Sequence, residues 1–167
     1  MRRYTELFKS AAVFRRMMNL WPPLWCQGIR ITHIASDFTE IRVRLAFRWY
    51  NRNNYGTQFG GALFSMTDPF YSIMLLKNLG EEYTVWDRAA SIVFLCPARQ
   101  PVESSFLLSA EVLEGVRSQT KDGHGYVINL PVTINGLDGK RIASVTRTLH
   151  IQNRKHTGNY EADEFAS

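Results

Sequence analysis

Residues 60–79 carry apolar side chains almost all the way round a helix. Leu63, Met66, Phe70, Ile73 and Met74 lie on one side, and Phe64, Tyr71 and Leu75 on the other. A helix that is apolar on every side is buried. The rest of the chain must therefore wrap around it, and Gly80 closes it. Asp68 and Pro69 interrupt the apolar run. If the helix is continuous, Pro69 removes the bond to the Ser65 carbonyl and kinks it. The same pair is also a strong helix start, with Asp68 as N-cap and Pro69 at the first position. Residues 60–67 would then be a separate turn or strand.

The wrapping material reads as β. Residues 29–35 and 40–47 form two strands, joined by a turn over 36–39. In the second, Ile41, Val43, Leu45 and Phe47 alternate with Arg42, Arg44, Ala46 and Arg48, as in a strand covered on one face. Four more strands are expected near 84–95, 104–114, 125–135 and 140–151. Loops at Pro97–Pro101, Gly115–Gly123 and Gly136–Gly139 separate them, the last a tight hairpin turn. Ahead of the sheet, Tyr4, Leu7, Phe8, Ala11, Phe14 and Met18 mark an amphipathic helix over 4–20, ended by Trp21-Pro22-Pro23. It reads as a core-covering helix rather than a membrane-surface one. The order predicts an α+β fold, an antiparallel sheet wrapped around one long central helix with an extra N-terminal helix. A length of 167 residues suits one domain, here 1–152, followed by a polar tail over 153–167.

Composition narrows the chemistry. Twenty Lys and Arg against fifteen Asp and Glu give a net charge of +5, which favours anionic ligands. Cys26 and Cys96 form no C-x-x-C pair and are too few for a disulfide scaffold, which fits a reduced, cytoplasmic setting. The longest apolar stretch, Phe59 to Leu76, is broken by Asp68 and Pro69, so no stable membrane insertion is expected. No signal-peptide core follows Met1-Arg2-Arg3. There is no nucleotide-binding glycine loop and no G-x-S-x-G elbow. His33, His124, His150 and His156 make no ligand set with the cysteines, so neither metal nor cofactor is expected. Arg42, Arg44 and Arg48 alternate along one strand without a reader motif, as a solvated face does, which argues against nucleic acid.

One constellation remains. Asn53-Asn54-Tyr55-Gly56-Thr57-Gln58-Phe59-Gly60-Gly61 runs into the buried helix. Two glycines at a helix start let a ligand approach the backbone closely. The first-turn N–H groups are unpaired within the helix and suit an anion or an oxyanion. Asp68 is a carboxylate in an apolar helix, costly unless partnered and often functional. On a straight helix Gly60 and Asp68 lie roughly 12 Å apart along the axis. They cannot then serve one carbonyl carbon together. A two-fold dimer would solve this by setting Gly60 of one subunit against Asp68 of another.

These residues resemble those of hotdog-fold acyl-CoA thioesterases. The likeness is to the phenylacetyl-CoA thioesterase-like group, and especially to a branch of tetrameric acyl-CoA thioesterases. The family pattern is N-x-x-G-x-x-H-G-G followed by a helical acid. Asn53, Gly56, Gly60 and Gly61 match it, and Asp68 falls at the acid. Ser91 to Pro97 and Gly139 to His150 resemble the next and closing strands, so the likeness runs from about Phe14 to Gln152. Phe59 departs from it, standing where many relatives have His.

The resemblance implies hydrolysis of an acyl-CoA by a homodimer or homotetramer. Gly60 would donate its N–H to the thioester oxygen. Asp68 of the partner would act as base or nucleophile, and Asn53 would orient water or thioester. Phe59, Phe64 and Tyr71 would line the acyl site, Gly61 would contact substrate, and Arg88 and Arg99 would meet the CoA phosphates. Two rivals stand beside this reading. One is a non-catalytic acyl-chain or acyl-CoA binder, favoured by Phe59. The other is a dehydratase, opposed by the lack of a histidine in the loop-helix motif.

Overall fold

The computed structural model describes residues 10–156. The expected first helix is seen as α1, Ala11–Met18, and its start over 4–9 lies outside the described residues, as does the tail over 157–167. A short α2, Pro22–Trp25, follows where the two prolines end the first helix. Then come β1 (Ile29–Ile34), β2 (Glu40–Leu45), α3 (Gly60–Ser65), α4 (Phe70–Leu79), β3 (Tyr83–Phe94), β4 (Val102–Leu107), α5 (Ala110–Gln119), β5 (Tyr126–Gly136) and β6 (Arg141–Asn153). One six-stranded sheet runs in the order β1-β2-β4-β5-β6-β3, with every pairing antiparallel. β1 and β3 are its two edges. No helix among the described residues is long and apolar enough to cross a membrane.

The central helical segment lies in the curve of the sheet in two pieces, α3 and α4. The proline explains the division. Pro69 has no N–H for the Ser65 carbonyl, and Asp68 N donates to that carbonyl instead at 3.1 Å. The chain turns over 66–69, and the Asp68–Pro69 peptide is cis. Of the capping alternative, the new helix start holds to within one residue, while Asp68 is not its cap and 60–65 is helical rather than a turn or strand. Pro69 itself is the N-cap residue of α4, and no side chain caps that helix.

The strand expected over 104–114 is corrected. β4 ends at Leu107, and residues 110–119 form α5. Ser109 caps it by accepting from Val112 N at 3.3 Å. Leu113 and Val116, three apart, are its buried residues, which is helical spacing rather than strand alternation. Gly115 accordingly sits inside the helix rather than at the start of a loop.

Burial matches the wrapped-helix expectation. Phe70, Met74 and Leu75 of α4 are fully buried under Ile41, Phe106, Ile134 and Leu149 of the sheet. The Phe106 ring lies 5.0 Å from Phe70 and 5.2 Å from Tyr71. The buried Tyr71 hydroxyl donates to the Pro131 carbonyl at 2.9 Å, so its polar atom is satisfied inside the core. Phe106→Ala, which empties the centre of this aromatic contact, is expected to lower stability by about 3–5 kcal/mol. Urea unfolding of the two proteins measures it.

Candidate active site

The loop before α3 is built by its own polar side chains. Asn53 Oδ1 accepts from Tyr55 N at 3.0 Å and Thr57 N at 3.1 Å, and its Nδ2 donates to Thr57 Oγ1 at 2.9 Å. The Asn53 amide is therefore engaged in shaping the loop, the ordinary work of asparagine in a turn. Gln58 anchors the far side. Its N–H donates to the Ala98 carbonyl at 2.8 Å, and its side chain to the Ala46 and Gln100 carbonyls.

This anchoring delivers Phe59 as the N-cap residue of α3, with its carbonyl accepting from Ala62 and Leu63. The N–H groups of Gly60 and Gly61 meet no acceptor among the described residues. A Cβ on Gly61 would lie 2.4 Å from the Phe59 ring, and one on Gly60 would lie 3.1 Å from the Phe94 ring. The glycine pair lets two aromatic rings close on the backbone. α3 has only six residues, so the donors act through local N–H direction rather than through a long helix dipole.

Asp68 lies at the break between α3 and α4. Its Oδ2 accepts from Arg147 Nη2 at 2.7 Å. Arg147 also donates through Nε to Asp87 Oδ1 at 2.9 Å, and its Nη2 lies 2.9 Å from the same oxygen. The Arg147 side chain is only 4% exposed, while Asp68 is 54% exposed. One buried guanidinium on β6 thus holds a half-buried carboxylate on β3 and an exposed one on the helix break. Phe64, half-buried, lies under this group with its ring centre 5.7 Å from the guanidinium carbon. Burial pushes the Asp87 pKa above the ordinary 3.8 against the pull of Arg147, and the charge of Asp68 adds to the rise.

The structure brings together Gly60, Gly61 and Phe59 at one point, and Asp68 and Phe64 at another. Arg88 is exposed on β3, where the register with β6 shifts between Asp87 and Ala89. Arg99 is exposed in the following loop, with its Nη2 3.5 Å from the Tyr55 carbonyl. Arg147 and Asp87 were not among the candidates from sequence. A signal for Arg147 exists: it fills an inward slot in the alternation Val145, Arg147, Leu149, Ile151 on β6, and its neighbours there are all buried. A charge in that slot requires partners.

The two groups meet β3 at different places. Asp87 is the fifth of its twelve residues and Phe94 the last, with Gly60 beneath Phe94. Six strand steps of about 3.4 Å separate them by roughly 20 Å once the bulge is allowed for. The bulge also returns Asp87 and Phe94 to the same face. Two clefts of the single chain lie elsewhere, one between Ser10 and Ser36 and one beside Tyr71, Glu103 and Pro131. Neither is lined by Asp68 or Gly60.

Comparison with known proteins fits this architecture. A protein of unknown function from Pseudomonas aeruginosa, described as a probable thioesterase, superposes with a TM-score of 0.71 at 15% identity, covering 84% of this chain and 94% of that one. A Haemophilus influenzae thioesterase gives 0.62 at 17%, covering 89% and 96%. The E. coli PaaI protein of the phenylacetic acid degradation operon gives 0.60 at 17%, covering 86% and 94%. At these identities the likeness establishes the fold, which is the hotdog fold of thioesterase-like proteins. No curated protein matches the sequence. Residues 10–151 match the family described as a domain of unknown function, DUF4442, so the chain belongs to the DUF4442 family, and its fold is the hotdog fold.

Proposed function

We propose that this protein hydrolyses acyl-CoA thioesters to the free acid and CoA, at a site shared by two copies of the chain. The observation that carries the reading is that Asp68 and Gly60 reach different points along one edge strand, Asp68 at Asp87 through Arg147 and Gly60 at Phe94. β3 has twelve residues and, among the described residues, pairs only with β6, so its outer N–H and C=O groups are open to a partner. Antiparallel pairing with β3 of a second copy, centred between Ala90 and Ser91, sets Asp87 of one chain opposite Phe94 of the other. Asp68, tied to Asp87 through Arg147, then faces the Gly60 N–H beside that Phe94. Each two-fold pair makes two such sites.

In this reading the Gly60 N–H receives the thioester oxygen as it gains charge. Asp68 acts through Oδ1, the oxygen Arg147 does not hold, as base toward water or as nucleophile. Arg147 is a positioning residue. It fixes the carboxylate, and Asp87 fixes Arg147. Phe59, Phe94 and Phe64 supply apolar walls for the acyl group, and Arg88 and Arg99 supply positive charge near the open edge for CoA phosphates. Cys26 and Cys96 are free thiols, consistent with a reduced cytoplasmic setting. The rival reading, a non-catalytic acyl-CoA binder, is favoured by Phe59. It stands at the position where relatives of the resembled group carry His, and its side chain supplies no proton.

Thiol release from a panel of acyl-CoA esters, from acetyl to long-chain and aryl, tests the reading. Asp68→Asn should lower kcat by about 10²–10⁴ with its circular dichroism unchanged. Saturable binding of the panel without turnover would transfer the conclusion to the binder. Arg147→Lys keeps the charge but not the two-carboxylate fork. It should lower kcat and leave KM nearly unchanged, since Arg147 does not touch substrate; steady-state kinetics on the best ester of the panel checks this.

Asp87 gives a pH signature. Its folded pKa is raised above 3.8, so the folded protein keeps this proton to higher pH than the unfolded chain does. Stability contributed at this position therefore falls as pH rises from about 3.8 through the raised value, then levels off. Asp87→Asn has no such titration. The stability of wild type relative to Asp87→Asn should decline across that window and be flat at neutral pH, as read from urea midpoints between pH 4 and 8.

A further inference from the structure

Charge is segregated along this chain. The first 67 residues hold ten Lys and Arg against three Asp and Glu, whereas the remaining hundred hold ten against twelve. Residues 41–67 contain no acid at all. The same part of the chain holds three of the four tryptophans, and all three are exposed: Trp21 at 44%, Trp25 at 62% and Trp49 at 84%. Tryptophan is a highly buried residue on average, so three at the surface need a reason.

These rings share one end of the sheet. Ile29 at the start of β1 pairs with Leu45 at the end of β2, and Ala46 N donates to the Gly28 carbonyl at 3.0 Å. α2, which leads into β1, and the 3-10 turn 49–51, which follows β2, therefore sit side by side. Asn51 fastens them: its Nδ2 donates to the carbonyls of Gln27 at 3.1 Å and Ala46 at 2.6 Å. The Trp49 and Tyr50 rings lie 5.6 Å apart, and the Tyr50 hydroxyl reaches to 3.4 Å from where a Gly28 Cβ would stand. Leu20, 76% exposed, follows α1 and directly precedes Trp21. Arg30, Arg48 and Arg52 are exposed around it, and none pairs with a carboxylate among the described residues. Arg52 lies over the Phe47 ring, 4.1 Å from its centre, at the patch margin.

We infer that this end of the sheet docks reversibly on an anionic lipid surface. Tryptophan and tyrosine favour the water–hydrocarbon boundary, where a ring can be half immersed. Arginines at the rim meet acidic headgroups, and attraction of that kind weakens as salt rises. Two observations separate a bilayer from other occupants. Leu20 offers an aliphatic surface that nucleic acid has no use for. The patch also lies at the β1 edge, the opposite side of the sheet from the open β3 edge, so pairing through β3 leaves it uncovered. The inference is independent of the thioesterase reading, because none of these residues lies at Asp68 or Gly60.

The test is co-sedimentation of the full chain with phosphatidylcholine vesicles, with and without phosphatidylglycerol. Binding is expected to the anionic vesicles at low salt, with a blue shift of tryptophan emission, and to fall at least tenfold at high salt. Trp25→Ser/Trp49→Ser and Arg48→Glu/Arg52→Glu should each lower it at least tenfold, with an unchanged circular dichroism spectrum and an unchanged mass by light scattering. Equal binding of wild type and both variants, or no binding to anionic vesicles, overturns the inference. So does a tryptophan variant whose mass drops, since the face would then join copies of the chain. Preferential binding of a single-stranded oligonucleotide through the same residues would overturn it as well.

Discussion

A single buried arginine organises the centre of the candidate site. A guanidinium removed from water is costly unless its charge and its donors are both met. Arg147 meets that demand with two carboxylates from different parts of the chain, one on β3 and one at the break between α3 and α4. The arrangement has a mechanical consequence. The break over 66–69 presents Asp68 to the sheet rather than to the helix axis, and Arg147 holds it there by one oxygen. Asp87 holds the guanidinium from the β3 side and is itself pushed toward its neutral form by burial. Two acids in one group thus face different environments, one open and one enclosed, which is the condition under which neighbouring carboxylates take different roles.

The sheet order decides how such a group can be used. β3 is placed at an edge although it directly follows the central helices, because β6 pairs along eleven of its residues and no other described strand pairs on its far side. The strand meets the Asp68–Arg147 group at Asp87 and Gly60 at Phe94, two strand positions roughly 20 Å apart. The open edge also shows Val93, Phe94 and Leu95, all more than half exposed. The opposite edge, at β1, carries basic and aromatic groups instead. The two sides of the molecule have different surface chemistry for reasons visible in the order of the strands.

Much of this was legible before the structure. The all-round apolar pattern of 60–79 requires burial, the alternation over 40–47 requires a one-sided sheet, and two glycines before a helix permit close approach to backbone N–H groups. Where local reading misled, over 104–114, a short strand and a capped helix were fused into one apolar run. The Ser109 cap and the Leu113–Val116 spacing were the signals that would have divided them. Asn53 shows the converse. Its place in the motif was legible, and the fold adds that its amide bonds four neighbouring backbone and side-chain groups of its own loop.

The sequence by itself determined the elements that depend on local spacing: strands, helices, turns, and the place of a carboxylate in an apolar segment. Those follow from side-chain periodicity and from what proline and glycine allow. It did not determine the partner of that carboxylate. Arg147 lies 79 residues from Asp68, and Asp87 lies 60 from Arg147. The pairing exists only because β6 lies between β5 and β3 and points one inward position at the helix break. A charge in an apolar alternation announces that it needs a partner, and only the folded chain says which one it gets.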